Sequence, residues 1–158
     1  MPQIALGGFF KVVRGVPQVA KGHVDHGDAC AGRPACATVR STMYLGSDGY
    51  VLPCSSMSHS AVMRDRFPNL AGMTLKEALT DSAYWDLVSS TAGDVLEHNP
   101  KCQTCAYRGR CLGGCRAKAL DANGNPDPMG LDLGACRFFL GGYYDRACAL
   151  VERLRREA

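Results

Sequence analysis

Four cysteines stand within fourteen residues, in the run Cys102-Gln103-Thr104-Cys105-Ala106-Tyr107-Arg108-Gly109-Arg110-Cys111-Leu112-Gly113-Gly114-Cys115. Written as spacing, the run is C-x2-C-x5-C-x3-C. Short intervals let consecutive thiolates wrap one metal centre without strain, and the glycines let backbone come close to sulfur. Buried apolar packing is a poor account of so dense a run. Cys136 follows beyond a turn-rich loop, and upstream Cys30-x5-Cys36 precedes Cys54. Eight cysteines make two complete four-thiolate sites, with Cys148 left over as a small apolar residue of the last helix.

Composition sharpens this. At 158 residues, 46% hydrophobic and 21% charged, the chain has the size and balance of one globular domain, with room for an arm. Nine cysteines exceed background but fall short of the ~8–10% of a small disulfide scaffold. The odd count, with no secretory signal at the N-terminus, weighs against a secreted disulfide framework and points to a cytoplasmic protein. No apolar run approaches the ~18 residues of a spanning helix. A formal charge of +3 is too small to argue for nucleic acid. Metal ligation leads on these grounds, with iron–sulfur, structural zinc and disulfides all open.

Along the chain, Phe9–Val13 reads as one short strand and Gly22–Asp28 as loop. Cys30 and Cys36 bracket a tight turn. Met43–Leu45 and Tyr50–Pro53, joined by Gly46-Ser47-Asp48-Gly49, read as a β-hairpin, with Asp48 a turn residue and Pro53 at the strand's exit. Residues 55–72 look irregular. Thr74-Leu75-Lys76-Glu77 is a capping box opening a helix to about Ser90, with Leu75, Leu79 and Leu87 among its apolar positions and Trp85 as its anchor. Asp121–Pro128 is turn-rich, and residues 139–156 carry apolar residues at helical spacing. The expectation is a small α+β fold: residues 1–29 an arm or the remnant of a preceding barrel, 30–136 the cysteine domain, and 137–158 a C-terminal amphipathic helix.

The cysteine pattern resembles a known family. Cys36, twelve residues, Gly49-x4-Cys54, a gap, Cys102-x2-Cys105-x5-Cys111-x3-Cys115, a gap and Cys136 are similar to the seven-cysteine SPASM signature. SPASM domains are C-terminal extensions of radical S-adenosylmethionine enzymes that modify peptides and proteins. Cys111-Leu112-Gly113-Gly114-Cys115-Arg116 and the Asp48–Cys54 hairpin also resemble the family outside the cysteines. The resemblance implies two auxiliary [4Fe–4S] clusters with interleaved ligands: Cys30, Cys36, Cys54 and Cys115 for the first, and Cys102, Cys105, Cys111 and Cys136 for the second. Such crossing has a precedent in two-cluster ferredoxins, where one cysteine of a compact run serves the other cluster.

One departure bears on function. The catalytic cluster of such enzymes uses C-x3-C-x2-C; after Cys111-x3-Cys115 the third cysteine would fall at position 118, which is Lys118. The preceding barrel is absent too. The chain therefore reads as an auxiliary part of a radical S-adenosylmethionine oxidoreductase or maturase, excised or free-standing, with no catalytic residues of its own. S-adenosylmethionine would enter only through a separate catalytic domain or subunit. The other partners implied are a peptide or protein substrate and an external electron donor, with neither nucleic acid nor membrane. The alternative is a non-catalytic peptide-binding module or a zinc-scaffold interaction module. His23 and His26 read as a solvated loop pair rather than ligands, and His59 and His98 carry no partner pattern. Arg108, Arg110 and Arg116 are either solvated or compensate cluster charge.

Overall fold

The computed structural model describes residues 4–6, 10–14, 16–19, 25–36, 38–121 and 127–157. Chain order begins with β1 (Ile4–Leu6), β2 (Phe10–Val13) and β3 (Val16–Val19), an antiparallel meander in the register Ile4↔Val12 and Phe10↔Val19. The single strand expected near Phe9–Val13 is thus the middle of three. Alternation there is too short and too interrupted by glycine to reveal its partners from sequence.

Gly27–Gly32 forms a 3-10 helix, so the expected loop is helical from Gly27; the expectation at His23 lies outside the described residues. Pro34 bridges to Thr91, Ala35 N–H donates to Ser90 O at 3.0 Å, and Ala92 N–H donates to Arg33 O at 2.7 Å. The segment from Cys30 to Cys36 is thereby tied to the distant start of the helix that follows Thr91. Its other flank is held by His26 N–H on Gly109 O at 2.9 Å.

The hairpin pairs β4 (Tyr44–Leu45) with β5 (Val51–Leu52), in the register Tyr44↔Leu52. Its turn closes through Gly46 N–H on Tyr50 O and Gly49 N–H on Gly46 O. Val51 and Leu52 are fully buried and begin a core that continues through Met57, Met63, Phe67, Ala78, Tyr84, Leu87, Ala117 and Leu120. The stretch that looked irregular contributes a 3-10 helix, Ser55–His59, and α1 (Ala61–Arg64), which bury Met57 and Met63. Turns this short leave too few residues to display a period.

The capping box at Thr74 is present: Thr74 N–H donates to Glu77 Oε2 at 2.7 Å and Glu77 N–H to Thr74 Oγ1 at 3.3 Å. The helix it opens is shorter than expected. α2 (Leu75–Thr80) stops and α3 (Ser82–Ser89) restarts at Asp81, whose carboxylate accepts from Ala83 and Tyr84 N–H. The restart turns Tyr84 and Leu87 inward, and Trp85, expected as the anchor, is 56% exposed. Leu75 is exposed as well.

A second capping box, Thr91 with Asp94, starts α4 (Ala92–His98). Then follow α5 (Pro100–Gln103), α6 (Arg108–Cys111), α7 (Arg116–Asp121), α8 (Leu133–Leu140) and α9 (Tyr143–Glu157). The terminal helix expected over 139–156 is therefore two, broken at Gly141-Gly142, where Gly142 takes φ +71°. Phe139, Tyr144 and Val151 form a second core, with Tyr107, Cys111, Phe138 and Cys148 packed on it. No described helix is long and apolar enough to cross a membrane.

Candidate metal centre

No disulfide joins any of the nine cysteines. Cys54 follows the buried end of β5 and precedes the Ser55–His59 helix, with the amides of Ser56 and Met57 beside its sulfur and Met57 N–H donating to its carbonyl oxygen at 3.2 Å. Burial pushes this thiol up, those amides pull it down, and the nearby Cys115 and Cys36 push it up further. Cys36 arrives on the segment pinned to α4, and Cys115 on the loop between α6 and α7. Two cysteines far apart in sequence, Cys36 and Cys115, therefore both come close enough to act on Cys54.

The second grouping is built on α5, α6 and α8. Burial raises Cys102, and Cys136 and Cys105 raise it further, while Arg116 lowers it. Burial raises Cys136, to which Asp132 and Cys105 add. Cys111 is pushed up to about 12, first by burial, then by Cys136, with the Gly113 amide pulling it down. The structure thus brings Cys102, Cys105, Cys111 and Cys136 within electrostatic reach of one another. Among the described residues, no three histidine, cysteine, aspartate or glutamate side chains converge as the ligands of a single ion do. Cys30 is 2% exposed inside the Gly27–Gly32 helix, between α4 and α6.

Between Cys111 and Cys115 the chain reverses through three left-handed residues: Leu112 at φ +53°, Gly113 at +83° and Gly114 at +80°. This turn sends Cys111 to one group of thiols and Cys115 to the other. Gly114 lies tight against α8, where an added methyl would stand 2.6 Å from Asp132 Cβ. Asp132 is buried; its Oδ2 accepts from Cys115 N–H at 2.8 Å and its Oδ1 from Ala135 N–H at 2.9 Å. One carboxylate therefore caps the helix that carries Cys136 and also fixes the backbone of Cys115.

Charges around the thiols are unevenly placed. Arg116 is 1% exposed, its guanidinium donating to the carbonyls of Pro128 (2.9 Å), Gly130 (3.0 Å) and Gly113. Arg110 is half-buried, pairs with Asp25 at 3.1 Å and donates to Tyr144 Oη at 2.8 Å. Arg108 donates to Gln103 O at 2.7 Å. Charge compensation is thus a role open to Arg116 above all. Sequence reasoning missed Asp132; its only signal was an acidic residue four positions before Cys136, at a helix start.

Cys115 is exposed and borders a recess of about 190 Å3 lined also by Ser56, His59, Met63, Ala117 and Lys118. His59, which carried no partner pattern in sequence, holds its Nδ1 3.1 Å from Ser56 O and so joins this rim. His98 pairs with Asp127 at 2.7 Å, away from the cysteines' recess lining.

Residues 36–106 match the family model of SPASM, an iron–sulfur cluster-binding domain. The matched span takes in Cys36, Cys54, Cys102 and Cys105. Neither the curated proteins nor the solved structures searched gave a match.

Proposed function

We propose, from the match of residues 36–106 to the SPASM model of an iron–sulfur cluster-binding domain, that the chain holds two [4Fe–4S] clusters. Cys36, Cys54 and Cys115, completed by Cys30, hold the first; Cys102, Cys105, Cys111 and Cys136 hold the second. The observation that supports this reading is how the thiols divide: Cys115 and Cys36 act on Cys54, while Cys136 acts on both Cys102 and Cys111 and Cys105 acts on both Cys102 and Cys136. Thiolates grip a cube-shaped core from outside, so they stand further apart than ligands of one ion, and mutual repulsion without convergence suits that geometry.

The donor chemistry fits as well. Amides of Ser56 and Met57 lie beside Cys54 and that of Gly113 beside Cys111, where they favour the thiolate that a metal needs. A guanidinium buried among thiols offsets the negative charge they carry once deprotonated. When bound, such clusters take up and pass on single electrons. The chain's own residues would hold them apart from water, tune them through N–H donors and expose one edge at Cys115. The recess beside that edge is where an electron donor or peptide would approach.

The role proposed is therefore auxiliary electron transfer and substrate-site formation in a radical S-adenosylmethionine peptide- or protein-modifying system, with α+β architecture organised by the clusters. Anaerobic reconstitution with iron and sulfide tests it. The expected product is brown, absorbs near ~400 nm and carries about eight irons per chain. Two zincs with no visible band would overturn the reading in favour of a zinc scaffold.

A further inference from the structure

Among the described residues, two buried side-chain nitrogens lack a hydrogen-bond partner, Arg116 Nε and His26 Nε2. Arg116 Nε is the more demanding case, because its guanidinium is charged and almost wholly removed from water. Its two terminal nitrogens are held by three carbonyls, of Gly113, Pro128 and Gly130, which fixes the plane of the group. Native proteins rarely leave such a donor unused, since burying it without an acceptor forfeits its hydration.

The groups acting on this cation are Asp132, then Cys115, Cys111 and Cys102. Cys115 belongs to the first thiol group, Cys111 and Cys102 to the second. Arg116 follows Cys115 in sequence, and its guanidinium holds Gly113 in the reversal that separates the groups. One buried cation is thus fixed, through Gly113, on the turn that parts Cys111 of the second group from Cys115 of the first.

We propose that Arg116 is the shared counter-cation of both clusters, its Nε–H kept free by the three carbonyls to donate to cluster or thiolate sulfur. This inference rests on the two-cluster reading above and adds a positioning residue to it. A fixed positive charge and a donor to sulfur both favour the reduced, more negative state, so Arg116 raises both potentials. A lysine could keep the charge but not the planar fork held by three carbonyls with Nε left over.

The test is redox titration of the cluster-loaded protein, followed by electron paramagnetic resonance, for wild type, Arg116→Lys and Arg116→Met. At the potential that half-reduces each wild-type cluster, Arg116→Met should be at least tenfold more oxidised, a shift of 59 mV for one electron, in both clusters. Arg116→Lys should recover part of that shift. A shift in one cluster alone, or in neither, overturns the proposal. A second measurement needs no variant that loads iron: wild-type protein labelled with 15N-arginine should show a nitrogen hyperfine coupling to a reduced cluster. Absence of the coupling in wild type overturns the donor. If wild-type protein takes up no iron–sulfur cluster at all, the proposed function fails instead, and the outcomes are distinct.

Discussion

Gly114 offers the sharpest test of how the two thiol groups are divided. Replacing it by alanine puts a side chain at φ +80°, with its methyl 2.6 Å from Asp132 Cβ, 2.8 Å from Asp132 Oδ2 and 3.0 Å from Ala135 Cβ. The left-handed backbone alone costs about 1–2 kcal/mol for a residue with a Cβ. The clash cannot be relieved by a flexible tip, because both oxygens of Asp132 are engaged, on Cys115 N–H and Ala135 N–H. Moving it loses at least one charge-assisted hydrogen bond, about 1.5–3 kcal/mol. Together these come to about 2.5–5 kcal/mol, a large share of a domain's net stability. Asp132 serves the loop of Cys115 and the helix of Cys136, so Gly114→Ala should also weaken iron retention in both groups.

The assay is urea unfolding of the anaerobically purified protein, with iron content measured alongside. Two glycines calibrate it. Gly142 has φ +71° but open space around it, so Gly142→Ala should lose only the backbone share, about 1 kcal/mol. Gly72 has open space and no left-handed φ, so Gly72→Ala should stay within about 0.5 kcal/mol. A Gly114→Ala protein no less stable than Gly142→Ala would refute the close fit of the reversal against Asp132.

Cys115→Ala should cost about half the iron while the remaining cluster keeps the spectrum lost in Cys111→Ala; the same spectrum surviving in both variants would show that the two cysteines share one centre. Because burial lifts Cys111 from 9.0 to about 12, the metal-free native state keeps a proton that the unfolded chain releases. Metal-free stability should therefore fall as pH rises through that window, by at most about 1.4 kcal/mol per pH unit, and Cys111→Ser should flatten the slope in alkaline urea titrations. Thr91→Ala removes the capping partner of Asp94 and should cost about 1 kcal/mol in thermal unfolding. The Thr91 hydrogen bonds hold the Asp94 carboxyl below its usual range, so that contribution is present at neutral pH and lost as pH falls through the carboxylate window.

Local chemistry was legible in the sequence where a few adjacent residues carry the whole signal. The Asp-Gly turn between apolar runs marked the β4–β5 hairpin, and Thr74 with Glu77 marked a helix start. Thr91 with Asp94 carries the same kind of signal. Cysteine spacing marked the metal-binding character, because ligands that wrap one centre must be close in the chain. Helix extents were less legible: Asp81 and Gly141-Gly142 each break an apolar period that runs on past them, and Trp85 follows the period outward.

What sequence determined by itself is that eight thiols with these spacings cannot be spread through an ordinary core. Tertiary structure decided which thiols come near one another: Cys36 and Cys115 reach Cys54 only because long-range backbone bonds, a shared core and a left-handed reversal bring their segments to it. It also decided that Arg116 and Asp132 are buried among them. Burial depends on how distant segments close over a side chain, and no short window of sequence records that closure.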